Sequence, residues 1–242
     1  MITFDNNVLD MLLSFALNRV TPLLPSIVVF GLIFGFTGGS SGYSLLLVSS
    51  MSFVIFAGAA QFTTLLFLIN SEPLLAIVVT AIFINLRHVL YSMILRERLE
   101  VKNYQKFILA YFILDETFLI LDIASREQKQ NPEIELDLQK ILLMSGLIIW
   151  IMWNVSTIIG FFVYELTGSN IQFPGNFIVS ASFVGFLVDH YRKYPQERMI
   201  LVTTSLISVI LGHFLSSSAL FVTIMVVGSV ISAISYRRKS SV

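Results

Sequence analysis

The chain has 242 residues, of which 56% are hydrophobic and only 12% charged, and its mean hydropathy is +0.84. Soluble domains carry about 25% charged residues, so half the usual solvating surface is missing and an ordinary soluble domain is excluded. The formal net charge is zero and no basic stripe runs along the chain, which leaves no footprint for nucleic acid, while the absence of cysteine removes disulfides and thiolate metal sites.

One apolar run follows another, most of them near the roughly 20 residues needed to span a bilayer. The predicted fold class is all-α: a polytopic helical membrane protein with six to eight membrane segments, two of them broken or re-entrant. Its expected location is the cell (cytoplasmic) membrane, crossed several times.

In chain order, residues 1–20 lack a basic n-region and carry Asp5 and Asp10, so they do not read as a cleavable signal peptide. Val8, Met11, Leu12 and Phe15 recur at helical spacing and predict a short interfacial segment ahead of a single transmembrane domain over 21–242. A first span covers 22–36 and leaves through Gly38-Gly39-Ser40-Ser41-Gly42, read as an exit loop. Residues 43–70 are apolar throughout but interrupted at Ala57-Gly58-Ala59-Ala60-Gln61. After the Glu72-Pro73 turn, 74–91 form the next span and carry Asn85, Arg87 and His88. Residues 107–123 are apolar around a central Asp115-Glu116-Thr117, and 124–140 are the longest polar segment. Further spans are expected over 141–166, 173–188, 199–215 and 219–236, closed by Arg237-Arg238-Lys239.

Loop charge orders these segments. Lysine and arginine gather at 96–106, 126–140, 192–198 and 237–239, and cytoplasmic loops hold such an excess. Eight full crossings would place charge-rich loops on opposite sides. The pattern becomes consistent if 43–70 and 107–123 each enter and return to the same side. That leaves six net crossings with both termini cytoplasmic; eight ordinary spans are the alternative.

Four stretches invite chemistry. Asn85, His88 and Ser92 share one helical face, with Arg87 and Tyr91 on the adjoining stripe. An arginine at bilayer depth costs roughly 2.5–3.5 kcal/mol on insertion scales, so it either lines a polar cavity or snorkels to the headgroups. Asp115 and Glu116 point about 100° apart on a helix; they offer either a proton carrier or a packing ion pair with Arg87. Gly58, Ala59 and Gln61 would open the second arm of a broken helix, whose free N–H groups suit an anionic group such as a carboxylate. Small residues packing two helices would explain 57–60 equally, but not Gln61. Gly39-Ser40-Ser41-Gly42 matches G-x-S-G, which with His213 would give an intramembrane serine protease. No cofactor is implied: His88, His190 and His213 are isolated, and no nucleotide-binding motif is present.

Phe34-Gly35, Phe56-Ala-Gly-Ala-Ala-Gln61, Asn85-Leu-Arg-His88 with Tyr91-Ser92, and Asp115-Glu-Thr-Phe118 together resemble the recurrent motifs of the AzlC family. In this chain Ala59 stands where that family often has serine. The family is the large subunit of branched-chain amino acid exporters, working with AzlD, a small separately encoded membrane partner. The resemblance therefore implies a secondary transporter, not an enzyme, that exports a hydrophobic amino acid on the proton gradient. Gly58, Ala59, Gln61, Asn85, Arg87, His88 and Tyr91 would bind substrate, and Asp115 or Glu116 would hold the α-ammonium or the coupling proton. Apolar neighbours such as Phe56 and Phe62 would receive the side chain. An intramembrane protease and a non-transporting scaffold subunit remain as alternatives.

Overall fold

The structure is a computed structural model that describes residues 6–99, 101, 105–131, 133, 136–167, 195–215 and scattered positions between 184 and 231. The expected spans at 173–188 and 219–236 lie in part, and the closing basic residues wholly, outside the described residues. Among the described residues every regular element is helical. Three helices are long and apolar enough to cross a bilayer by length and composition: Asp10–Ser40, Leu74–Arg96 and Leu138–Thr167. The chain forms two compact units, one of Met1–Gln61 with Asn85–Gln172, the other of Phe62–Ile84 with Phe173–Val242.

In the first unit, α1 (Asn6–Val20) runs through a short 3-10 turn containing Pro22 into α2 (Leu24–Ser40). Prolines are tolerated here because they fall in the first turns, where the missing N–H has no helical partner anyway. Residues 10–40 thus form one helical run. The glycine-rich stretch is also helical as far as Ser40, and only Gly42, at φ 81°, makes the turn.

The backbone of α2 lies directly against α8 (Leu138–Thr167). A Cβ on Gly35 would sit 1.9 Å from the Thr157 carbonyl oxygen, and one on Gly160 2.1 Å from that of Leu32. Hydrogen in place of a side chain lets the two backbones touch, the usual device where lipid removes the hydrophobic drive between helices. Gly31 faces Ser156, Gly35 faces Thr157 and Gly39 faces Tyr164, so contacts climb both helices together and the pair is parallel.

Two broken helices pack on this pair. α3 (Leu45–Val54) starts at Ser44, whose hydroxyl accepts the Leu47 N–H at 3.3 Å, and runs back antiparallel to α8. Val48 meets Gly38, and the Ser52 and Thr157 hydroxyls are 3.0 Å apart. The helix stops at Val54, and α4 (Gly58–Ile69) begins where the small-residue cluster predicts a break. α5 (Leu74–Arg96) follows after a turn in which Ser71 takes φ 55°. The second broken helix is α6 (Gln105–Tyr111) and α7 (Asp115–Gln130), parted by residues 112–114. Asp137 then caps α8, its carboxylate accepting the N–H groups of Gln139 and Lys140 at 3.1 Å each.

Ion pairs fix the direction of α7. Asp115 meets Arg87, and Asp122 meets Arg98, which follows the end of α5; the two helices therefore run parallel. α7 continues eight residues past Asp122, so it reaches the level at which α5 ends and goes beyond it. Arg19 also pairs with Glu127 there, gathering Arg19, Arg98 and Arg126 at one end of this unit. The second unit, which takes in most of α4 and the first half of α5, also contains α9 (Arg198–Leu211), where Arg198 donates to the Tyr191 carbonyl at 2.9 Å and lies over its ring.

Candidate functional site

Both breaks lie beside the middle of α8. At the first, Gln61 is fully buried, and its side-chain amide donates to the Met51 carbonyl at 3.0 Å. An unbroken helix would separate these two residues by about 15 Å, beyond the reach of one glutamine, so the break folds the half-helices toward each other. Gln61 is therefore what the small residues are not: the pin of the break. Its other side-chain atom, Oε1, is buried with no hydrogen-bond partner among the described residues. Gly58 opens α4 against the Trp153 ring, where an added Cβ would come within 3.2 Å.

The second break is pinned in a similar way. The Thr117 hydroxyl accepts the Leu114 N–H at 2.8 Å and donates to the Phe112 carbonyl at 2.7 Å. A side chain in the first turn of the second half-helix again satisfies backbone groups stranded by the interruption. The two breaks then touch. Phe56 packs on the Tyr111 and Phe112 rings, with centroids 5.7 and 6.2 Å away. The Tyr111 hydroxyl donates to the Phe53 carbonyl at the end of α3 and accepts the Trp150 indole N–H at 2.9 Å. Beside this crossing lies an apolar cleft of about 480 Å³ lined by Phe53, Val54, Tyr111, Phe112, Leu147 and Trp150.

The charged centre stands where α7 begins. Arg87 Nη1 is 2.7 Å from Asp115 Oδ2, while the Tyr91 hydroxyl donates to Asp115 Oδ1 at 2.8 Å. Tyr91 is held by its neighbour on α7, the Phe118 ring, stacked at 4.4 Å and 15°. Asp115 also profits from its place in the first turn, where the positive end of the helix dipole favours a carboxylate. The pair is not sealed: the Arg87 and Asp115 side chains keep 36% and 43% of their surface exposed. Arg87 Nε and Asn85 Oδ1, by contrast, are buried without hydrogen-bond partners among the described residues.

The structure thus joins Arg87, Tyr91 and Asp115 directly. His88 is half-buried, its ring 6.1 Å from that of Tyr91, and its carbonyl accepts the Ser92 hydroxyl. Gly58, Ala59 and Gln61 belong to the first break, and no hydrogen bond or ion pair among the described residues links them to Arg87. Glu116 is half-buried and makes no ion pair among the described residues, so the two adjacent acids have different surroundings. Phe56 and Phe62 are buried, and Phe56 is spent on holding the breaks together. Thr117, Phe118, Tyr111 and Trp150 matter more than their sequence suggests. Of these, Thr117 and Phe118 carry a signal in the sequence, as members of the Asp115-Glu-Thr-Phe118 motif. The Ser41 hydroxyl donates to the Thr37 carbonyl at 2.7 Å at the end of α2, and His213 belongs to the other compact unit. No group of acidic and histidine side chains suited to a metal occurs among the described residues.

Residues 22–167, which contain both breaks and every residue of the charged centre, match the family model described as AzlC protein. A Helicobacter pylori protein named as an uncharacterized membrane protein is 24% identical over 86% of this chain and 88% of its own length. The Bacillus subtilis branched-chain amino acid transport protein AzlC is 24% identical over 71% of this chain and 65% of its own. The Escherichia coli inner membrane protein YgaZ is 26% identical over 81% and 79%. No solved structure matches the chain.

Proposed function

Because the chain belongs to the AzlC family, we propose that it is the large subunit of a secondary transporter of the cytoplasmic membrane that exports hydrophobic, branched-chain amino acids. The observation that carries this reading is the half-exposed Arg87–Asp115 pair, which joins the apolar α5 to the start of α7 at a helix break. Paired charges at such a place mark substrate or ion pathways, because mere packing is achieved more cheaply with apolar residues. The printed name of the Bacillus relative supplies the substrate class. Arg87 receives the α-carboxylate, the acids at the start of α7 serve the α-ammonium and the coupling proton, and the apolar cleft beside the breaks takes the side chain. Glu116, without an ion partner among the described residues, suits the proton.

The same reading includes six net crossings with both termini cytoplasmic. It is supported by the return of α7 to the level of Arg98 and by the basic residues gathered there, the side that cytoplasmic loops favour. It also includes a small AzlD-like membrane partner, for which the exposed apolar residues of α5 and α8 leave ample room. The experiment is uptake of labelled leucine, valine and methionine into inverted vesicles, with and without a proton gradient and with and without the partner. Gradient-driven accumulation requiring both subunits is expected. Flux that no gradient drives uphill would make the protein a channel, and no flux with any of the three would leave a scaffold.

A further inference from the structure

We propose that Asp115 is an internal stand-in for the substrate carboxylate, and that the site selects zwitterions by exchanging ion-pair partners. The inference rests on Arg87 being the carboxylate receptor. Asp115 now occupies the guanidinium at 2.7 Å, on a face that is still open. A ligand carboxylate arriving on that face displaces a like group from the guanidinium. The released Asp115 is then an unpaired carboxylate in apolar surroundings, which is costly unless a cation reaches it. An α-ammonium is that cation. Two ion pairs replace one pair and a solvated zwitterion, and no net charge enters the membrane interior. A ligand with a carboxylate alone would free Asp115 without compensating it; a ligand with an ammonium alone would strand Arg87. Tyr91 holds Asp115 through the exchange, because its hydroxyl bonds the oxygen that Arg87 does not use.

Binding to purified protein tests this with leucine, its amide, and 4-methylpentanoate, which is leucine without the ammonium group. The unaltered protein is expected to bind leucine at least about tenfold more tightly than either analogue, because each analogue must bear the cost of an unpaired partner. In Asp115→Asn the competitor is gone and the discrimination between leucine and 4-methylpentanoate should collapse to within about twofold. Tyr91→Phe, which loosens Asp115 without removing charge, should collapse it partly, and serves where the first variant does not elute as a folded species. Undiminished discrimination in the folded variants would overturn the partner exchange while leaving Arg87 as receptor. Arg87→Gln that binds leucine normally would instead remove the receptor itself.

Discussion

Two ion pairs of the same chemistry join α5 and its following turn to α7, seven residues apart on α7 and different in their surroundings. Arg98 and Asp122 are 3.1 Å apart at the end where basic residues gather, and Asp122 is shared with Arg126 at 2.8 Å. That carboxylate has two cations. Arg87, within the apolar α5, and Asp115, in the first turn of α7, are 2.7 Å apart, and the aspartate has one cation and a tyrosine hydroxyl. The first arrangement gives its acid two cations and fastens α7 to the turn after α5. The second is held by a single guanidinium and keeps a partly exposed face, which suits the partner exchange proposed above. Position along the same helix pair, not residue type, separates a fastening from a site.

Breaking the inner pair has the largest expected effect. Arg87→Gln should lower leucine flux per folded molecule by about 100-fold, the scale of losing charge-assisted contacts worth up to about 3 kcal/mol. Next comes stability, read as detergent-solubilised thermal unfolding. Because the inner pair is partly exposed, Arg87→Gln and Asp115→Asn should each cost about 1–2 kcal/mol, less than a sealed pair. The double variant should recover part of the loss, whereas Arg87→Gln with Glu116→Gln should be additive, since Glu116 is not the partner. Equal coupling at both acids would erase the division between them.

The break behind the site should matter less. Thr117→Val removes the bonds to Leu114 and Phe112 and is expected to cost about 1 kcal/mol, with flux falling more than the amount of folded protein does. Ser125→Ala, which removes only a bond to its own helix, should change neither. The outer pair should have the smallest effect. Arg98 foremost, and then Arg126, hold the Asp122 carboxyl below its ordinary range. Its stabilising share is therefore complete at neutral pH and fades only as pH falls below about 4, through the lowered value. Asp122→Asn should remove that acid-side dependence and cost under about 1 kcal/mol at pH 7, less still in high salt.

Much of this was legible in the residues. Gly58 through Gln61 marked a break because glycine and an amide are poor choices within an apolar helix, and α4 begins at Gly58. That Arg87 would need an acid was legible from its cost, but which acid was not. Adjacent carboxylates point to different faces, and only the face that α7 turns to α5 selects Asp115. The stretch at 38–42 read as a loop because consecutive glycines weaken isolated helices. In the folded chain Gly38 and Gly39 are helical where Val48 and Tyr164 close on them, so tertiary contact overrode local propensity. The bond from Tyr111 to the Phe53 carbonyl joins residues 58 apart, and no local pattern announces it.

The contrast between the two arginines is tested most directly by leucine flux in proteoliposomes for Arg87→Gln and Arg98→Gln, each normalised to folded protein. The expected result is that Arg98→Gln transports within about twofold of the unaltered protein while Arg87→Gln loses about 100-fold. Equal losses in both, or undiminished flux in Arg87→Gln, would contradict the assignment of the inner pair as the working site.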